Sequence, residues 1–147
     1  LMMELELLYP ESDNHPKMLH NTSGKFESGF VNMTIPENKS VMLKGLEGTR
    51  LGVWVAHGEG KFNVDDKDQV AMAGSYSYQA YPGNPNGSDF DIAALCSTNG
   101  RHLAMMPHLE RSIMPWQWPY KTQPENWQVT PWLLAFTAAR EWVESRK

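Results

Sequence analysis

The sequence predicts a single α/β domain, and three observations carry that expectation. Leu51-Gly52-Val53-Trp54-Val55-Ala56 is an unbroken apolar run rich in β-branched residues, which suits a buried strand. Two further apolar runs, Asp91 to Ser97 and Arg101 to Met106, flank Thr98-Asn99-Gly100, and Asn-Gly between strands is a strong hairpin signal. Near the C-terminus, Trp132, Leu133, Phe136, Ala139, Trp142 and Val143 recur at helical spacing behind a Thr130 cap and Pro131 at the first position.

The remaining elements follow in chain order. Leu1 to Leu8 has apolar positions on one wide face, and so predicts a helix. It carries no cap residue, as if entered midway, and this predicts a chain continuing a longer one. Tyr9 to Gly24 is loop-like in composition. Lys25 to Ile35 suits an extended strand, Pro36 to Ser40 a breaker, and Val41 to Leu46 a short helical turn. His57-Gly58-Glu59-Gly60 closes the strong strand, and Phe62-Asn63-Val64 continues it after a kink. Asp66 to Ala73 predicts a short helix capped by Asp65 or Asp66. Ser75 to Tyr81 alternates aromatic and small residues, as a strand does. Pro82 to Ser88 is a dense turn cluster.

Composition narrows the function classes. The chain has 147 residues, 41% hydrophobic and 20% charged, ordinary for one soluble domain. A net charge of -4 without a basic cluster argues against a nucleic-acid partner. No apolar run approaches the ~20 residues that span a bilayer, so no membrane role is expected, and no signal segment is visible. The lone Cys96 excludes an internal disulfide and fits a reducing, cytoplasmic setting. Four Asn-x-Ser/Thr triplets, at Asn21, Asn32, Asn38 and Asn86, are then expected to serve turn chemistry rather than glycans.

The chemistry-bearing candidate is Met105-Met106-Pro107-His108-Leu109-Glu110-Arg111. In an extended backbone His108 and Glu110 point to one side. Glu110 can then bind one ring nitrogen and leave the other free as a base. That is two thirds of a nucleophile-activating triad, with Ser, Cys or Thr missing; the same spacing also suits a solvated pair without a catalytic role. Cys96 lies within an expected strand among Ala93, Ala94 and Leu95, without the turn or helix N-terminus that lowers a thiol pKa, and is expected to be a buried structural thiol. His57 sits in a glycine-rich turn whose backbone N–H groups can face a ligand, yet a lone histidine is more often structural. His15, His20 and His102 lack metal-ligand spacing, so no metal site is expected. Trp116, Trp118 and Tyr120 suit a cover over the core. Six tryptophans keep a non-catalytic carbohydrate- or protein-binding module as the alternative, and a different triad hydrolase, such as a peptidase, is a further class.

Asn99 to Arg111 closely resembles the C-terminal glutaminase domain of the phosphoribosylformylglycinamidine synthases. The same likeness runs through Asn21 to Glu27, Val55 to Gly60, Tyr81 to Ser88 and Pro131 to Arg140, in order along essentially the whole chain. Leu109 departs from the proline expected in a His-Pro-Glu pattern. The resemblance implies a class I glutamine amidotransferase fold of flavodoxin-like type: an open, mostly parallel sheet with flanking helices and an antiparallel hairpin, N-terminally truncated. Residues 1–147 would be the C-terminal portion of the glutaminase domain. His108 would match the triad base and Glu110 its orienting acid, while His57, Gly58 and Glu59 would line the glutamine pocket, mainly through backbone groups. The nucleophile cysteine turn would lie before Leu1, leaving this portion inactive alone. Glutamine and the remainder of the synthase chain are the implied partners. ATP and magnesium belong to the synthase domain, and no cofactor is expected within this chain. A truncated sheet edge would favour dimerisation or strand exchange.

Overall fold

Apolar alternation produces seven strands and one α-helix in the computed structural model, which describes residues 1–120 and 127–147. The strands are β1 (Lys17–Leu19), β2 (Glu27–Thr34), β3 (Arg50–His57), β4 (Lys61–Asn63), β5 (Ala71–Tyr76), β6 (Ile92–Cys96) and β7 (Leu103–Met105). The helix, α1, spans Leu133–Glu144. Five strands form a sheet in the order β3-β2-β5-β6-β7, and β1 pairs with β4 in a separate ribbon. All five residues of β6 are buried, which marks it as a strand covered on both faces.

One core lies on the face holding Val31, Met33, Val53 and Val55, joined by Ile35, Leu43, Leu46, Ala73, Trp132 and Ala135. A second core beneath the N-terminal segment gathers Met3, Leu8, Tyr9, Phe62, Val64, Ile92 and Leu95. Trp132 is fully buried and donates its indole N–H to Gly52 O at 2.8 Å, pinning the start of α1 to β3.

The sheet corrects one expectation. Every pairing between the named strands is antiparallel, not mostly parallel. Parallel neighbours need a helical crossover between them. Among the described residues the only α-helix follows the last strand, so no such unit forms. The hairpin expectation holds: β6 and β7 pair from Cys96↔Leu103 to Ala94↔Met105.

Local expectations shift for physical reasons. Leu1 to Leu8 makes a single turn, with Leu5 N–H on Leu1 O at 3.0 Å, and it ends at Glu6, whose φ is 53°. Eight uncapped residues do not repay helix nucleation. Asp66 does cap, accepting from Asp68 N–H at 3.0 Å, but only the 3-10 turn Lys67–Gln69 follows. Ala71 to Ala73 join β5 instead, drawn in by pairing with β6, and the strand ends at Tyr76 rather than Tyr81. Val41 to Leu46 turns as expected, with a 3-10 segment at Lys44–Leu46. Trp132, just before α1, and Ala135 in its first turn are buried while Phe136 and Val143 stay exposed, so the apolar stripe is fully sealed in the core only at the start of the helix.

Tyr9 closes a gap in the sheet. Its hydroxyl donates to Cys96 O at 2.8 Å and accepts from Ala71 N–H at 2.8 Å, standing in for a direct bond where β5 and β6 begin and end. Burial pushes its phenol pKa up to about 12. Tyr9→Phe removes this bridge and strands a donor and an acceptor, so we expect a loss of about 1–3 kcal/mol in urea unfolding. Unchanged stability would mean that Ala71 and Cys96 re-pair without the phenol.

Candidate functional site

Three turns meet at the end of β3, and two buried asparagines tie them. The Asn21 amide donates to Lys25 O at 2.9 Å and His57 O at 2.7 Å. Its oxygen lies 3.1 Å from both His57 Nδ1 and Gly60 N–H. Its own backbone N–H donates to Gly58 O at 2.9 Å. Asn86 donates to Gly60 O at 2.6 Å and to Tyr76 OH at 2.9 Å, and its oxygen accepts from Ser88 N–H and Oγ. Thr22 N–H closes the knot on Asn86 O at 3.1 Å. A Cβ at Gly87, whose φ is +71°, would run into Thr22 Oγ1, so only glycine fits there. With both amide nitrogens donating inward, Asn21 and Asn86 serve turn chemistry, as expected of them.

His57, expected in a ligand-facing turn, is 6% exposed. Gly58 is half-buried and Glu59 exposed, with Glu59 Oε1 3.5 Å from His20 Nε2. The carbonyls of His57 and Gly58 are both committed to Asn21, and among the described residues no hydrogen bond uses the N–H groups of Gly58 and Glu59. Those two donors are what the turn can offer a ligand.

His108 and Glu110 come together as their spacing predicts: His108 Nδ1 lies 2.8 Å from Glu110 Oε1. The backbone route differs. His108 is extended, but Leu109–Arg111 is a 3-10 turn, so Glu110 reaches back from a turn rather than along a strand. Leu109 is 4% exposed and anchors that turn in the core from its first position, one that tolerates proline equally. The His108 side chain is 30% exposed, and among the described residues its Nε2 has no partner, so one ring nitrogen is free while the other is held.

Ser112, which the spacing gave no reason to single out, fixes this turn. Its Oγ donates to His108 O at 3.3 Å and accepts from Trp54 N–H at 3.3 Å. Its carbonyl accepts from Trp118 Nε1 at 2.9 Å and from Thr130 Oγ1 at 2.6 Å. His108 N–H donates to Trp54 O at 2.7 Å, making a bridge on the outer edge of β3. Phe30 centres an aromatic layer with Trp54, Trp118 and Tyr120 at 5.1, 5.4 and 5.8 Å; Trp116 stands outside it, largely exposed. Cys96 is fully buried and its thiol pKa is pushed up by that burial, the reverse of what a nucleophile requires.

Burial holds the His57 pKa below its usual 6.5; nearby His108 adds to the effect and Glu27 opposes it. The unfolded chain then binds more protons than the folded one as pH falls through 6.5, so stability drops in that direction. We expect urea unfolding at about pH 7.5 and about pH 5.5 to show this slope, and His57→Gln to flatten it. An equal slope in the variant would assign it to other groups.

Comparison with known proteins bears on this geometry. The chain is 44% identical over 151 residues to a probable phosphoribosylformylglycinamidine synthase, chloroplastic/mitochondrial, of Arabidopsis thaliana, covering 90% of this chain and 10% of that one. It is 40% identical over 156 residues to the phosphoribosylformylglycinamidine synthase of Dictyostelium discoideum, covering 92% and 11%. The chain thus spans about a tenth of the length of these curated relatives. A solved structure of PurLQS from Thermotoga maritima matches with a TM-score of 0.65 and 24% identity over 86% of this chain and 52% of that one, a likeness of fold. The family model for a CobB/CobQ-like glutamine amidotransferase domain matches residues 1–143. Since that match takes in the asparagine-tied turns and the His108–Glu110 turn alike, the chain belongs to the CobB/CobQ-like glutamine amidotransferase domain family.

Proposed function

We propose that residues 1–147 are the C-terminal portion of a glutaminase domain in a phosphoribosylformylglycinamidine synthase. It hydrolyses glutamine and supplies ammonia for the ATP-dependent conversion of formylglycinamide ribonucleotide to its amidine in purine synthesis. The observation that carries this reading is the 2.8 Å contact between His108 Nδ1 and Glu110 Oε1 in a chain of this family. A carboxylate on Nδ1 fixes the ring proton there and leaves Nε2 to take a proton from a nucleophile. Glu110 also favours the imidazolium that forms. The nucleophile is a thiol supplied by a segment outside these residues, because Cys96 is sealed in β6 and its burial disfavours the thiolate. Alone, these residues are inactive.

In this reading the Gly58 and Glu59 N–H groups, with the His57 turn behind them, contact glutamine. The remainder of the synthase chain is the covalent partner and holds ATP and magnesium, which assist the ligase step there. Self-association would use β7, the outer strand opposite β3, since β3 already carries the His108 bridge. A cytoplasmic location is supported by the lone buried thiol and by buried asparagines in two of the four Asn-x-Ser/Thr triplets. Among the described residues no helix is long and apolar enough to cross a membrane.

Two variants of the complete synthase test the pair. His108→Ala should abolish glutamine-dependent synthesis while activity with added ammonia persists, because ammonia bypasses the base; joint loss of both activities would make His108 structural. Glu110→Gln should lower the glutamine-dependent rate by roughly 10²–10⁴-fold at nearly unchanged Tm, since its amide can donate to Nδ1 and favour the wrong tautomer. A near wild-type rate would remove Glu110 from the mechanism.

A further inference from the structure

Glu27 at the head of β2 and His57 at the tail of β3 are cross-strand partners. Opposed residues of an antiparallel pair project from the same face, with Cβ atoms about 4.5–5.5 Å apart. Glu27 Oε1 and His57 Nε2 are the two buried side-chain atoms without a hydrogen-bond partner among the described residues. Among the described residues that are not exposed, every other side-chain N or O atom buried as deeply is satisfied, so this pair needs a reason.

The hydrogen-bond network settles what each atom can do. Only the NH2 of Asn21 can serve the carbonyls of Lys25 and His57, so its oxygen faces His57 Nδ1. An amide oxygen accepts, and therefore His57 Nδ1 carries the ring proton. Burial keeps the ring neutral, which leaves Nε2 as a bare lone pair. Glu27 Oε2 accepts from Tyr81 OH at 3.4 Å, while Oε1 meets no donor. Two buried acceptor atoms, one on each of two cross-strand partners, are thus left without a donor.

A species with at least two donors resolves both. Water has two but carries no charge. An ammonium group brings three or four N–H bonds and a positive charge. Among the described residues no group of three or more metal-ligating side chains exists, so a metal ion is the poorer match. Glu27 also lines a cavity of about 530 Å³ with Gly29, Val31, Val55, Tyr78 and Tyr81, room for an amino acid beside its carboxyl group; His57 is not among the lining residues.

We propose that Glu27 Oε1 and His57 Nε2 form a binding site for a primary ammonium group, either free ammonium or the amine of an amino acid. The proposal rests on the glutaminase reading only for its purpose, since glutamine carries an α-ammonium and its hydrolysis releases ammonia.

The test follows Tm and the ring-nitrogen NMR signals of His57 in this chain. Ammonium chloride is compared with sodium chloride at equal ionic strength, and L-glutamine with glutaramate, which lacks the α-amine. We expect a saturable rise in Tm of a few degrees and a shifted Nε2 signal. A response to ammonium but not glutamine identifies free ammonium; a response to glutamine but not glutaramate identifies the α-amine. Glu27→Gln should lose the response and be at least as stable without amine, because its amide can donate to Nε2. If that variant fails to fold, the wild-type His57 titration decides alone. An Nε2 signal indifferent to every amine would leave only a structural water and overturn the proposal. Amine binding without glutamine-dependent synthesis in the complete enzyme would sink the glutaminase reading alone. Intact synthesis without amine binding would sink this site alone.

Discussion

Every polar atom of Asn21 is engaged within the protein, and most of the site's geometry depends on that saturation. A buried amide costs free energy unless each donor and acceptor finds a partner. The cheapest way to meet that demand fixes three things at once. The 57–60 turn is held against the 21–25 loop, the His57 proton is placed on Nδ1, and the amide of Gly60 is drawn in. Asn86 extends the same logic to the 84–88 turn, where Asn84 Oδ1 accepts from Gly87 and Ser88 N–H. Polar bonds rather than apolar contacts therefore set the position of this corner of the molecule.

A second hub controls the His108 turn from the other side of β3. Ser112 is fully buried and speaks to β3, to the aromatic layer through Trp118, and to the cap of α1 through Thr130. Thr130 Oγ1 also accepts from Trp132 N–H at 3.3 Å, so the helix start and the His108 turn share one set of bonds. Leu109 adds an apolar anchor within the turn. The exposed Glu110 and half-exposed His108 are thus carried on a rigid support, which is how a solvent-facing pair keeps its geometry.

The two hubs meet across β3. His57 ends the strand and His108 bridges to its middle at Trp54, near enough that charge on His108 disfavours charge on His57. One ring is sealed and neutral; the other is open with a carboxylate behind it. Opposite surroundings thus give the same side chain two different states of exposure and bonding.

Much of this was legible in the residues. The β3 run, the Asn-Gly hairpin, the Thr130 cap and the His108–Glu110 contact follow from local spacing, because period and capping are short-range properties. Asn21, Glu27 and Asn86 stood inside recognisable segments, yet nothing local marked them as partners of His57 or Gly60. Their bonds span from 26 to 39 residues where they close on the 57–60 turn, and only folding brings those segments together. The antiparallel sheet was likewise a tertiary outcome, since strand direction depends on how connections run. The Leu1 to Leu8 segment and the start of β5 differed because eight uncapped residues do not repay helix nucleation and pairing with β6 outweighed a weak local helix preference. The sequence determined which residues could do chemistry; the fold decided which of their atoms were left without partners, because hydrogen-bond satisfaction is a property of the whole packed chain.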